Sequence, residues 1–215
     1  MDNESLHALT LMLGAGWAAG INLYAAMLVL GWLGATCQVV LPEPLAPLAS
    51  PLVMGVAAVL FAAEFVADKI PWVDSLWDGL HSFIRIPAGA LLAAGAAQGL
   101  DLGAVGTAAG LLAGGGLAAT SHATKAGTRA VINTSPEPAS NWTASVVEDL
   151  TVVGGLWTAL NHPWLFLVLL VCFLLLAAWL LPRIWRLLRA GGRRLQDLFF
   201  RRPPKPVDPP PEETP

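Results

Sequence analysis

Long apolar runs, broken at intervals by short charged stretches, organise this chain. No Asp, Glu, Lys or Arg occurs from Ser5 to Pro42, from Pro44 to Ala63, from Leu102 to Ser121 or from Leu150 to Pro182. Uncharged runs of about 20 residues can cross a hydrocarbon layer of about 30 Å as helix. Helix is the expected form because lipid offers backbone groups no outside partner. The pattern predicts an all-α polytopic membrane protein with about six transmembrane helices. They cover Ala8 to Gly34, Pro51 to Ile70, Ile86 to Leu100, Val105 to Ile132, Asn141 to Leu160 and Trp164 to Leu181. Between the second and third, "PWVDSLWDGLHSFIRIP" places Trp72, Leu76, Leu80 and Phe83 at helical spacing. That spacing predicts an amphipathic helix lying in the membrane interface, with Asp74, Asp78 and His81 on its solvated face.

Composition agrees: 55% of the 215 residues are hydrophobic, 13% are charged, and the mean hydropathy is +0.62. Soluble domains carry nearer a quarter charged residues. The start, "MDNES", lacks the cationic segment of a secretory signal, and the run behind it is too long to be a cleaved one. The first span is therefore expected to stay. Cys37 in a loop and Cys172 within a span give no reason to expect a disulfide.

Basic residues fix an expected orientation. The junctions at Cys37 to Leu48, at Asp101 and at Asn161 to Pro163 hold none. The alternate junctions hold Lys69 and Arg85, then Lys125 and Arg129, then Arg183, Arg186, Arg189, Arg193 and Arg194. With six spans and both termini cytoplasmic, every basic residue falls on one side, as the positive-inside rule requires. Residues 1–192 then form the transmembrane domain. Residues 193–215 form a basic, proline-rich cytoplasmic tail, expected to be largely disordered. The arginines beside it suit a helix lying on anionic lipid.

The two halves share an order of features. "GAGWAAGINLYAA" from Gly14 aligns with "GGGLAATSHATKA" from Gly114, with Asn22 opposite His122. Ser50-Pro51 and Ser135-Pro136 are followed thirteen residues beyond each proline by Glu64 and Asp149, and Trp72 and Trp157 keep the same offset. Pro87 and Pro163 open the last span of each half. The reading is an inverted 3+3 repeat, residues 8–100 and 105–182, as in many transporters. Packing alone also favours small residues in membrane helices.

Charges inside the spans are the candidate chemistry. A carboxylate near the bilayer centre costs a few kcal/mol, so it normally faces the protein interior and has a partner. Glu64 and Asp68 share one face of the second span, and Glu148 and Asp149 lie well inside the fifth. On the fourth, His122, Lys125 and Arg129 are spaced three and four apart and also share a face. The economical arrangement gathers these seven residues with Asn22, and with Tyr24, into one polar cluster that binds a small polar solute or ion. His122 beside carboxylates is a candidate proton carrier. The alternative is that the same residues are ion pairs that only fix helix register. Asp74, Asp78 and His81, four and three apart, are weaker candidates for a divalent metal site. Motifs for nucleotide, acyl-transfer or zinc chemistry are absent, so no cofactor and no catalytic residue is expected. The basic residues follow the membrane edge, which speaks against a nucleic-acid partner.

The stretches "EFVADKIPWVDSLWD", "RIPAGALLAA", "SHATKAGTRAVINTSPEPASN" and "EDL" resemble a bacterial membrane family known as domain of unknown function family 4126. The resemblance covers about Leu9 to Arg189. It implies a bacterial inner-membrane location and no activity. Three functions are open on these grounds: a small transporter or channel-like protein, a structural or assembly factor docking a partner through its basic C-terminal segment, and an intramembrane lipid-modifying enzyme. At 22.5 kDa the chain is small for enclosing a pathway, which fits a homodimer.

Overall fold

A computed structural model of the protein describes residues 3–134 and 137–199, with 138 and 191–199 described by backbone alone. Every element among them is helical. They are α1 (Asn3–Ala35), a 3₁₀ segment (Glu43–Ala49), α2 (Pro51–Ala67), α3 (Val73–Ala97), α4 (Gly103–Ile132), α5 (Pro138–Asn161) and α6 (Pro163–Phe199). A second 3₁₀ turn, Gln98–Leu100, follows α3. By length and apolarity α1, α3, α4 and α6 can each cross a membrane. The first 3₁₀ segment with α2, bent by 68°, makes a fifth candidate. Helices of this kind are those of a multi-pass membrane protein. α5, which carries Glu148 and Asp149 in its middle, is not apolar enough to join them.

The first helix departs from expectation. At Asn22 its backbone leaves helical geometry, with φ −146° and ψ 101°, and two helical limbs meet there. The limbs form a hairpin. A Cβ built on Gly99 would lie 3.1 Å from Ala8 Cβ and 3.8 Å from Pro42 Cγ, so both ends of α1 come to the same end of the bundle. A straight helix would carry Ala35 about 40 Å from Ala8. The seven residues from Ala35 to Pro42 can recover only about 25 Å of that. The limb 3–21 runs antiparallel to α3, with Ala8 at Gly99 and Ala19 at Gly89. The limb 23–35 runs parallel to it, from Tyr24 at His81 to Gly31 beside Leu48 of the 3₁₀ segment that covers Gly95.

This hairpin changes the membrane topology expected from the sequence. α1 enters and returns, while α2 to α6 each run the length of the bundle. Residues near Ala8 pack at the Gly99 end, whereas Ile184 of α6 packs on Gly127 at the other. The two ends of the described chain therefore lie at opposite ends of the bundle, not on one side. The distribution of basic residues is unaffected, because α1 contributes none of them.

α3 is also unlike its expectation. The interfacial helix and the third span are one helix that runs through Pro87. Its polar stripe points inward: Asp74, Asp78, His81 and Arg85 are buried, while Leu76, Leu80 and Phe83 are exposed at 68%, 61% and 85%. Against lipid, the apolar face of an amphipathic helix is the outer one.

The bundle closes by contact between small residues. α1 crosses α4 where Gly16 faces Gly114, so closely that a Cβ on Gly16 would lie 2.6 Å from Gly114 Cα. Gly20 meets Ala118 and Ser121 one turn further on. Such close approach is how membrane helices gain dispersion contact without a hydrophobic drive between them. α6 continues as one helix to Phe199, so the arginine-rich stretch up to there extends α6. The side chains of Arg193 and Arg194, the tail 200–215 and the second Ser-Pro pair, Ser135-Pro136, lie outside the described residues. The first pair opens α2: Ser50 Oγ accepts from the Val53 amide at 3.3 Å, a helix N-cap.

Candidate functional site

The residues of the polar cluster come from all of the first five helices, and each is placed by local spacing. Glu64 and Asp68, four apart, sit at the end of α2. Asp74, Asp78, His81 and Arg85 form one stripe of α3, and His122, Lys125 and Arg129 one stripe of α4. Asn133 follows α4; Asn141, Ser145, Glu148 and Asp149 line α5. Asn22 and Tyr24 hang from the tip of the α1 hairpin. They extend from the middle of the bundle, where Asn22 meets Asp149, to the end that carries the basic residues.

Two cations organise the centre. Lys125 Nζ lies 2.8 Å from Asp68 Oδ2, 3.1 Å from Glu64 Oε1 and 3.4 Å from Glu148 Oε2. Arg85 bridges α2 and its own helix, with Nη2 2.7 Å from Glu64 Oε1 and Nη1 2.7 Å from Asp78 Oδ1. A third cation, Arg129, donates from Nε and Nη2 to the two oxygens of Glu148 at 3.0 and 2.8 Å. Its Nη1 donates to the backbone carbonyls of Asp68 and Asn141. The two-pronged geometry matches guanidinium to carboxylate, the strongest form of charge-assisted bond. Side-chain exposure is 2% or less throughout this network, except at Glu148, which is 16% exposed. Removing so many charges from water is costly, and mutual attraction offsets it only with such geometry.

Neutral partners extend the network at both edges. Asn133 Nδ2 donates to both oxygens of Asp74, at 2.7 and 3.0 Å, and Asn141 Nδ2 donates to Asn133 Oδ1. Ser82 Oγ lies 2.6 Å from His122 Nε2, and Arg85 Nη1 lies 3.4 Å from His122 Nδ1. His81 Nε2 lies 3.1 Å from the Tyr24 hydroxyl. At the hairpin tip Asn22 acts in two directions. Its Oδ1 accepts from the Ala25 amide and caps the second limb, and its Nδ2 donates to Asp149 Oδ1 at 2.9 Å.

All eight expected site residues, Asn22, Glu64, Asp68, His122, Lys125, Arg129, Glu148 and Asp149, thus fall in or beside one network. Sequence reading assigned Arg85 to a membrane edge and Asp74, Asp78 and His81 to a solvated face. The structure corrects both, because the polar stripe of a lipid-facing helix belongs inside. The periodicity 74, 78, 81, 85 was a signal for this. As metal ligands the three do not converge: Asp74 is held by Asn133, Asp78 by Arg85 and His81 by Tyr24. Among the described residues no group of three or more His, Cys, Asp or Glu could hold a metal ion.

The network is closed on most sides and meets open space on one. A cleft of about 220 Å³ between α4 and α5 is lined by Lys125 and Glu148, by hydroxyls of Ser121, Thr124, Thr128 and Thr151, and by Ile21 and Phe173. Towards the other end of the bundle, the hairpin limbs fill the interior, with Ala15, Ala18, Ala19 and Ala26 wholly buried. The wall of the cleft is mostly apolar, and the hydroxyls of Ser121, Thr124 and Thr151 donate to backbone carbonyls, so Lys125 and Glu148 are the charged groups at its edge.

Apolar helices around a buried charge network, entered by a broken helix, define a helical multi-pass membrane protein with a polar interior site. Residues 9–183 match the family model described as Domain of unknown function (DUF4126), and the chain belongs to that family. No curated protein and no solved structure matches the chain.

Proposed function

We propose that this protein is a small inner-membrane transporter or channel-like protein that passes a small polar solute or ion through the cluster between α2, α4 and α5. The observation that carries the reading is the break of α1 at Asn22, buried beside Asp149. Interrupted helices ending in mid-membrane are how many transporters bring backbone groups and helix ends to a substrate. The α4–α5 cleft with Glu148 and Lys125 supports a place for the solute. The inverted repeat expected from the shared order of elements is not part of this proposal, because the first limb of α1 runs in the same direction as α4, with Gly16 at Gly114 and Gly20 at Ala118. Arg183, Arg186 and Arg189, at the basic end of α6, would meet anionic headgroups.

The test is flux in proteoliposomes loaded with a pH-sensitive dye and challenged with alkali cations, amino acids and small organic acids. Flux above that of protein-free vesicles, lost in Glu148→Gln, is expected. The absence of flux for every class, with protein correctly inserted, overturns the reading.

A second reading has its own observation. Glu64, Asp78 and Arg85 are fully enclosed, as expected of ion pairs that hold helix register in a structural or assembly protein. Replacing the three together by Leu, Leu and Met would then leave a stable protein with its function intact. An intramembrane lipid-modifying enzyme has no comparable observation in its favour.

A further inference from the structure

We propose that Asp149 is the proton-binding residue of this protein, holding a proton in the resting state, with Asn22 at the hairpin tip as its positioning residue. The proposal rests on the transport reading for its purpose, but its geometry stands alone. Among the described residues no basic side chain lies within 4.0 Å of Asp149, unlike Glu64, Asp68, Asp78 and Glu148. One of its oxygens accepts from Asn22, and the other, Oδ2, is buried without a hydrogen-bond partner. An ionised carboxylate so placed is a desolvated charge with one neutral donor; a protonated one is a neutral group of modest cost.

The surrounding charges do not relieve it. Facing Asp149 are Glu64 and Lys69 from α2 and its end, Lys125 from α4 and Glu148 from its own helix. Lys125 is committed to Glu64 and Asp68. Lys69 donates to the Phe65 carbonyl and to Ser145 Oγ and rests on the Phe65 ring. Glu64 and Glu148 add negative charge. The six acids of the cluster, Glu64, Asp68, Asp74, Asp78, Glu148 and Asp149, face four basic residues, Lys69, Arg85, Lys125 and Arg129, which leaves acid in excess. The wholly buried Glu64 also keeps one oxygen, Oε2, without a partner. The deficit is of positive charge. A divalent metal does not fit, for lack of three convergent ligands. His122 is the poorer carrier, because Arg85 approaches the nitrogen lone pair that a proton would need and Ser82 occupies the other nitrogen.

Asn22 ties the proton to the hairpin. On losing its proton to water, Asp149 becomes an anion bonded to Asn22, the cap of the second limb, where the positive end of the helix dipole favours negative charge. On regaining one, that attraction is lost. The tip of α1 thus experiences two different forces at the two protonation states, through a residue whose own backbone is already out of the helix.

Infrared spectroscopy of the full chain, reconstituted in vesicles of phosphatidylethanolamine and phosphatidylglycerol, tests this at neutral pH. The wild type is expected to show a protonated-carboxyl band that Asp149→Asn abolishes and Glu43→Gln, at the exposed 3₁₀ segment, leaves alone. Asn22→Ala is expected to move the band to higher frequency by removing the hydrogen bond to the carboxyl, and serves if Asp149→Asn does not fold. A band that persists in Asp149→Asn, that does not move in Asn22→Ala, or that is missing from the wild type overturns the proposal. Flux on the same vesicles keeps the two readings apart. An Asp149 band without flux overturns transport and leaves the proton site, whereas flux without a band overturns the proton site alone.

Discussion

Asn22 and Asp149 stand 127 positions apart in the chain and are joined by a hydrogen bond of 2.9 Å in the middle of the bundle. Asp149 lies about 16 Å along α5 from Pro138, so the tip of the α1 hairpin stops well inside the membrane. A break there would strand backbone groups in lipid. It is held because Asn22 caps the next limb with one side-chain atom and reaches α5 with the other.

The hairpin makes a topological prediction. In a background with Cys37 and Cys172 replaced by serine, Asn3→Cys is expected to react with a membrane-impermeant maleimide from the face opposite to a cysteine at Arg189. Reaction of both from one face would require α1 to cross.

Close contact of α1 and α4 predicts a sharp contrast between glycines. A valine at Gly20 would collide with the Ala118 carbonyl and Ser121, neither of which can move freely. It should cost about 3 kcal/mol or more by overpacking. Gly116→Ala, where a Cβ meets nothing within 4 Å, should be neutral or slightly stabilising. Unfolding in detergent micelles measures both.

Breaking the buried network from one side should be expensive. Arg85→Met leaves Glu64 and Asp78 without their shared guanidinium, and the loss expected for uncompensated buried charge is about 3–5 kcal/mol. Adding Glu64→Leu and Asp78→Leu to it should restore much of that stability. If the single change is harmless, the pairs at 2.7 Å contribute little to the fold.

The inverted face of α3 can be tested by charge placement. Leu80→Lys puts a charge on the lipid side of the helix, at a cost of about 3 kcal/mol near the bilayer centre and less towards the interface. Leu80→Ala should be tolerated. Membrane insertion and yield of the two variants read the difference, and equal yields would place that face in contact with protein or water.

Much of this protein is set by local composition. The uncharged runs determine that it is helical and in a membrane, because in lipid a segment must satisfy its own backbone. The same logic made intramembrane titratable residues conspicuous, so Glu64, Asp68, His122, Lys125, Arg129, Glu148 and Asp149 were legible as members of a buried network, whereas Asn22 was not marked by charge. The spacing of His122, Lys125 and Arg129 further showed that they share a face. Three matters were decided only by packing. An apolar run such as 8–34 satisfies every rule for a crossing helix, yet it turns back at Asn22 because Ala25, Asp149 and close-fitting glycines offer the broken backbone and side chain better partners. The stripe of Asp74, Asp78, His81 and Arg85 has the same periodicity on a wet surface as in a dry interior, and only the neighbouring helices distinguish the two. Which carboxylates receive a cation and which, like Asp149, receive none depends on contacts between residues far apart in sequence. Segment energetics are additive along the chain, whereas pairing among buried charges exists only once the helices have met.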